Sequence, residues 1–264
     1  MIVIKHSQRG ATLIIVLILL LIIVIVSSLA IRKGLLSLNI ATNAQAQQLM
    51  NQNSDSALFN VEDAEALKTN MTGNGMFGYI STPYNKGKEL VFCYKGTNTA
   101  FFSLAQASVI KWEEGKTKPT NNELGSDGYC SMSNSNDYTS GRSAVMTQVT
   151  VRFIDSAEGD VAFVSTVSGT DTLASKTIPA QRATVTAISL MPTLSTASTE
   201  QINACLSTHM SNPSAAIPGG ISAATDSVTE TSFSTSISEC LNKLNVPYTT
   251  YATVYNLTQS VTGS

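Results

Sequence analysis

A stretch of apolar side chains from Ala11 to Ile31, interrupted only by Thr12, Ser27 and Ser28, limits what this chain can become. At about 1.5 Å per helical residue it reaches roughly 31 Å, the hydrocarbon thickness of a bilayer. Lys5, His6 and Arg9 precede it, Gly10 stands directly before it, and Arg32 and Lys33 follow at once. The expectation is a leader over 1–10, a transmembrane helix over 11–31 and a domain tethered behind it. A secretory signal competes with this reading. Ser28-Leu29-Ala30 offers a small-x-small site for cleavage after Ala30, although the apolar run exceeds the usual signal-peptide core.

The helix is expected to continue. Between Ala11 and Thr72 there is no Pro, Gly34 is the only Gly, and the first Pro of the chain is Pro83. One helix through 32–72 is therefore predicted, ended by Gly73-Asn74-Gly75 and Gly78 as a C-cap and loop. Its later part carries Ala57, Val61, Ala64, Leu67 and Met71 at helical spacing, an apolar stripe expected to pack on a sheet. Asn39 to Ser54 is rich in Gln and Asn and has no charge. It is too polar for lipid and lacks the charge of an ordinary solvated helix.

Beyond residue 73 the pattern changes to short strands. ELVFCY (89–94) and SVIKW (108–112) are apolar runs. SAVMTQVTVRFID (143–155) alternates, with Val145, Thr147, Val149, Val151 and Phe153 on one face. Residues 156–160 read as a turn and VAFVSTVS (161–168) as the hairpin partner of that strand. ATVTAISLM (183–191) is a further strand. Helix first and antiparallel strands after is the α+β pattern, with a β-rich unit over 73–192. Residues 193–264 form another region: a helix at 199–210, a Ser- and Thr-rich loop from 211 to 236, a short helix at 237–246 and a last strand at 250–257.

Four cysteines, Cys93, Cys130, Cys205 and Cys240, contain no C-x-x-C, and the only histidines are His6 and His209. That argues against zinc and for disulfides. Three connectivities are open, and sequence neighbours suggest Cys93–Cys130 and Cys205–Cys240. The formal net charge is −2 with 13% charged residues and no basic patch, which leaves nucleic-acid binding without an electrostatic basis.

The search for chemistry yields little. Asp155, Glu158 and Asp160 share one turn and are hard oxygen ligands of the kind calcium takes, but without EF-hand spacing. No nucleophile elbow, zinc-protease motif, P-loop or dinucleotide fingerprint occurs. His209 is expected half-buried on its helix and Trp112 as an anchor of the core. Tyr79, Tyr84, Tyr129, Tyr138, Tyr248, Tyr251 and Tyr255 are candidates for contact surfaces. No catalytic residue, metal or cofactor is assigned, and an enzyme is not expected.

Gln8-Arg9-Gly10 followed by Ala11-Thr12-Leu13 resembles the class III signal of type IV prepilins. The resemblance implies cleavage between Gly10 and Ala11 by a prepilin peptidase and N-methylation of Ala11. Most pilins carry Glu at the fifth residue after the cut; here that residue is Ile15. The same Glu is absent from minor pilins of the PilX type and from the GspK-type pseudopilin of type II secretion, which sit at or near a fibre tip. SALFNVEDAEALKTNM (56–71) also resembles PilX-type sequences, through Glu62, Asp63, Ala64, Glu65 and Ala66. The family implies a pilin-like fold, a long N-terminal helix on an antiparallel sheet with a disulfide-bounded, variable C-terminal region. It further implies a minor pilin that primes type IV pilus assembly. Its partners would be the major pilin, other minor pilins and a tip adhesin of the PilY type. The location implied is the bacterial inner membrane, with a cytoplasmic N-terminus and a periplasmic domain, and then the pilus tip. The alternatives are a GspK-type pseudopilin and an uncleaved single-span periplasmic binding domain.

Overall fold

Helix α1, Ala11–Glu62, begins the computed structural model, which describes residues 11–85, 87–96, 100–139, 142–154, 181–216 and 223–257. The chain divides into two units, Met1–Ala46 and Gln47–Ser264. Every described residue of the first unit is helical. Polar side chains in and just after the uncharged stretch bond back to carbonyls of their own helix. Thr42 Oγ1 donates to the Leu38 carbonyl at 2.8 Å, and Asn53 and Asn60 Nδ2 donate to the Leu49 and Ser56 carbonyls at 2.7 Å. Such back-bonding satisfies polar groups without charge.

The helix does not run unbroken to residue 72. Asp63 leaves the helical conformation (φ −58°, ψ 128°), and its carboxylate accepts from the Glu65 and Ala66 amides, capping a new helix α2, Ala64–Asn70. The apolar stripe is cut at the same point. Ala57 and Val61 are fully buried, whereas Ala64 is exposed and Leu67 is 38% exposed. The glycines beyond are more than a loop. Gly75 caps α3, Met76–Ile80, and Gly78 lies inside it, where a Cβ would stand 1.8 Å from the Thr72 carbonyl oxygen.

The strands are β1 Glu89–Tyr94, β2 Ala107–Lys111, β3 Thr120–Glu123, β4 Met146–Ile154 and β5 Gln181–Leu190. Then come α4 Thr199–Thr208, a two-residue ribbon of β6 Thr225–Asp226 and β7 Thr231–Ser232, α5 Ile237–Lys243 and β8 Tyr248–Leu257. One six-stranded sheet has the order β3-β2-β1-β4-β5-β8 with every neighbouring pair antiparallel. The last strand, from the C-terminal region, thus joins the same sheet and pairs with β5 from Leu190↔Tyr248 to Gln181↔Leu257. The turn at 156–160 and the run 161–168 lie outside the described residues. Thr147–Arg152 is flanked by β1 on one side and β5 on the other.

On one face of the sheet, Ala57 and Val61 of α1 and Met76, Phe77 and Ile80 of α3 pack on Leu90, Phe92, Val149, Val151, Phe153 and Val185. The other face is also covered. Gln148, Thr150 and Arg152 are buried there, because α4, α5 and the segment between them cover it. Their polar groups reach across the chain for partners. Gln148 Nε2 donates to the Leu206 carbonyl at 2.9 Å and its Oε1 accepts from the Cys130 amide at 3.1 Å. Arg152 Nη1 donates to the Asn212 carbonyl at 2.8 Å. The fold is α+β, with the sheet between two apolar layers.

Candidate functional site

Apolar side chains from Leu13 onward define the first candidate. They recur at every helical angle, so no rotation of the helix hides them from its surroundings. Every large apolar side chain from Leu13 to Ile40 is at least 50% exposed, and Ile15, the position that departs from the usual prepilin pattern, is 61% exposed. Among the described residues this is the one helix long and apolar enough to cross a membrane. An apolar surface of this extent is stable only in lipid or against other apolar helices. Ala11 is the first residue of α1; Gly10 and the leader lie outside the described residues.

The second candidate is the C-terminal layer. Ser198 and Gln201 close a capping box at the start of α4, and Ser236 and Glu239 close another on α5. These boxes fix two short helices whose inner faces present Ile202, Cys205, Leu206, Ile237, Cys240 and Leu241 to one another. A disulfide joins Cys205 to Cys240 and a second joins Cys93 to Cys130, which is the pairing of sequence neighbours. No described cysteine is free.

Beside Cys130 lies a polar cleft of about 510 Å³, lined among others by Lys95, Gln106, Asp127, Asp137 and Asn203. Its buried carboxylate, that of Asp137, is already engaged. Asp137 accepts from the Ser131 amide and from Asn134 Nδ2, both at 2.9 Å, and pairs with Lys95 at 3.1 Å. Asn203 is likewise held between the Met132 amide and Ser131 Oγ. The cleft is thus a rigid polar depression without an activated nucleophile.

His209 is not half-buried; it is 1% exposed, at the end of α4 and against the Phe233 ring. Burial lowers its pKa below the ordinary value, opposed by the nearby Asp226. Thr208 Oγ1 lies 3.1 Å from His209 Nδ1 and 3.5 Å from Asp226 Oδ2, but it donates to the Ala204 carbonyl at 2.7 Å. A hydroxyl whose proton is spent on a helix carbonyl is no nucleophile. No group of three or more His, Cys, Asp or Glu among the described residues is placed to hold a metal. Asp155, Glu158 and Asp160 fall outside those residues.

The tyrosines separate. Tyr84 is 75% exposed, with Lys88 Nζ 3.7 Å from its ring centroid, and Tyr251 is 37% exposed. Tyr129 is buried with Trp112, Met210 and Phe233, while Tyr79, Tyr138, Tyr248 and Tyr255 are partly buried against the cores. Sequence reasoning missed one buried clamp. Glu89 Oε2 and Oε1 accept from the Ser211 and Asn212 amides at 2.8 and 3.2 Å, and Glu89 sits opposite Arg152 in the β1–β4 register. Burial pushes its carboxyl upward while those amides and Arg152 oppose the shift. A charged residue opening an apolar strand was the available signal.

Against family models, curated proteins and solved structures, the chain gives no significant match.

Proposed function

We propose that this protein is a minor pilin of the PilX type that helps prime a type IV pilus and sits at or near its tip. The observation that carries the reading is the helix whose apolar side chains are exposed on all sides from Leu13 to Ile40 and whose later part packs on an antiparallel sheet. Such a helix suits two environments in turn. Lipid holds it before assembly, and a bundle of sister helices holds it afterwards, with its apolar surface never entering water. Lys5 and Arg9 favour a cytoplasmic N-terminus, a signal that Arg32 and Lys33 weaken. A prepilin peptidase then cuts between Gly10 and Ala11 and the new amine of Ala11 is methylated. Ile15 supplies no carboxylate for the amine of a subunit ahead of it, which suits a subunit with none ahead. The disulfide-stapled C-terminal layer is the surface offered to other minor pilins and to an adhesin of the PilY type.

Intact mass and N-terminal sequencing of the protein from native membranes and sheared fibres tests this. The expected chain begins at Ala11 and carries one added methyl group. A chain retaining Met1 makes it a single-span anchor, and one beginning at Ile31 makes it a secreted domain; either result ends the pilin reading.

A further inference from the structure

Side chains four residues apart form rows along α1, and two neighbouring rows read Ile23-Ser27-Ile31 and Val24-Ser28-Arg32. The two serines stand side by side, each shorter than the branched residue one turn before it. The helix surface is therefore dented. Ile23, Val24, Ser27, Ser28, Ile31 and Arg32 line a groove of about 440 Å³. Its walls are aliphatic, its floor is small, and a guanidinium stands at its C-terminal end with Lys33 next in the chain.

Charge fixes the depth of this groove in a bilayer. Met1–Ala46 contains no Asp or Glu, so that unit holds nothing to neutralise Arg32 or Lys33, and both are exposed. Arg32 stands about 31 Å along the helix from Ala11. With Ala11 at one edge of the hydrocarbon, Arg32 reaches the other edge, where the lipid phosphates begin. A deeper position would bury two cations without a counter-charge. A shallower one would bring the turns before Ile31 into water, in addition to Leu35, Leu36, Leu38 and Ile40, which are exposed beyond the pair.

We propose that this groove binds one anionic phospholipid, with its phosphate on Arg32 and Lys33 and an acyl chain along Ile23, Ser27 and Ile31. Arg offers a planar fork of N–H donors to phosphate oxygens, and Lys adds a point charge. The dent gives the acyl chain room to lie close beneath the headgroup that the cations hold. Net charge makes the selection. A zwitterionic lipid carries its own cation beside the phosphate, and an anionic lipid leaves that place to the protein. The inference rests on the membrane-bound stage of the pilin reading, which the single-span reading shares, and not on processing or fibre assembly.

The test uses the full chain in vesicles of equal phosphatidylcholine and phosphatidylglycerol, extracted in mild detergent, with the retained lipids counted by native mass spectrometry. One phosphatidylglycerol per chain is expected, favoured over phosphatidylcholine about fivefold for each cation. Arg32→Gln with Lys33→Gln should abolish the preference although Lys5 and Arg9 remain. Ser27→Leu with Ser28→Leu fills the groove, keeps both cations, and should cost the retained lipid. All four side chains lie outside the cores of the folded unit, so its melting, followed by Trp112 fluorescence, should not move. Equal retention of the two lipids overturns the proposal, as does a preference that survives Arg32→Gln with Lys33→Gln. A preference that survives filling of the groove also overturns it, since diffuse attraction then suffices without a site. So does displacement of the lipid by inorganic phosphate where chloride of equal ionic strength has no effect, because the cations then serve a free anion. A chain that does not enter the vesicles overturns this proposal and the pilin reading together, whereas one that enters without a preference overturns this proposal alone.

Discussion

Replacing Cys205 and Cys240 together by Ala removes the staple between α4 and α5 while leaving the other bridge in place. The bridge closes a separation of 35 residues, for which the loss of denatured-state entropy corresponds to about 4 kcal/mol. Both sulfurs are fully buried among Ile202, Leu206, Ile237 and Leu241. Their removal leaves a small void, which adds roughly 1 kcal/mol. A total near 5 kcal/mol corresponds to a fall in melting temperature of about 10–20 °C for a unit of this size. Trp112 is a suitable reporter. It is the only tryptophan, is 7% exposed, and packs with Met210 just after α4 and Phe233 just before α5. Guanidinium unfolding of the full chain in micelles, followed by Trp112 fluorescence, gives the free-energy difference. The slope against denaturant should rise, because the uncrosslinked unfolded chain exposes more surface. A loss under about 1 kcal/mol with an unchanged slope would refute the reasoning and mean that packing alone holds the two helices.

Three further outcomes are expected. His209 has its pKa lowered by burial from 6.5, so the folded protein takes up its proton less readily than the unfolded chain. Its contribution to stability is complete above that value and is lost as pH falls below it; His209→Gln should flatten stability between about pH 7.5 and 5, and equal slopes for both proteins would sink the argument. Ser54 Oγ donates to Ser189 Oγ at 2.7 Å, which in turn lies 2.8 Å from Thr147 Oγ1, all of them buried. Ser54→Ala should cost about 1 kcal/mol in the same unfolding assay, and no change would show that the hydroxyl chain adds nothing to the seating of α1 on the sheet. Ile15→Glu should alter fibre initiation or incorporation if this residue marks a tip position. Piliation counted by electron microscopy checks it, and unaltered fibres would count against a tip role.

What was legible in the sequence was local. The apolar run of α1, the strands from Glu89 and from Ala107, and both C-terminal helices follow from periodicity and caps within a few residues of themselves. What was not legible depended on distant chain. Asp63 is compatible with a helix interior or a cap, and only the packing of Ala57 and Val61 on the sheet decides where α1 stops. Gln148 and Arg152 look solvent-facing on an alternating strand. Their partners are the carbonyls of Leu206 and Asn212, reachable only once the C-terminal layer has folded over. His209 was underestimated for the same reason, since Phe233 and Asp226 close over it from a segment read as a loop. The exposed apolar surface at the first candidate site was plain from composition, but the place of β8 beside β5 was not, because sheet order is not written in any strand.

The partnership of β5 with β8 also sets an order of events in time. These strands share ten paired positions, yet roughly sixty residues separate Leu190 from Tyr248, so the sheet cannot be completed until that intervening chain has been made and gathered in. Cys205 and Cys240 both lie inside this interval. Once they are joined, the covalent path between the two strands shortens to about twenty-five residues, and the search that brings β8 to its place is smaller. Oxidation early in folding therefore speeds closure of the sheet, whereas a chain kept reduced leaves β5 as an unpaired edge for longer, in the state most open to pairing with a neighbouring molecule.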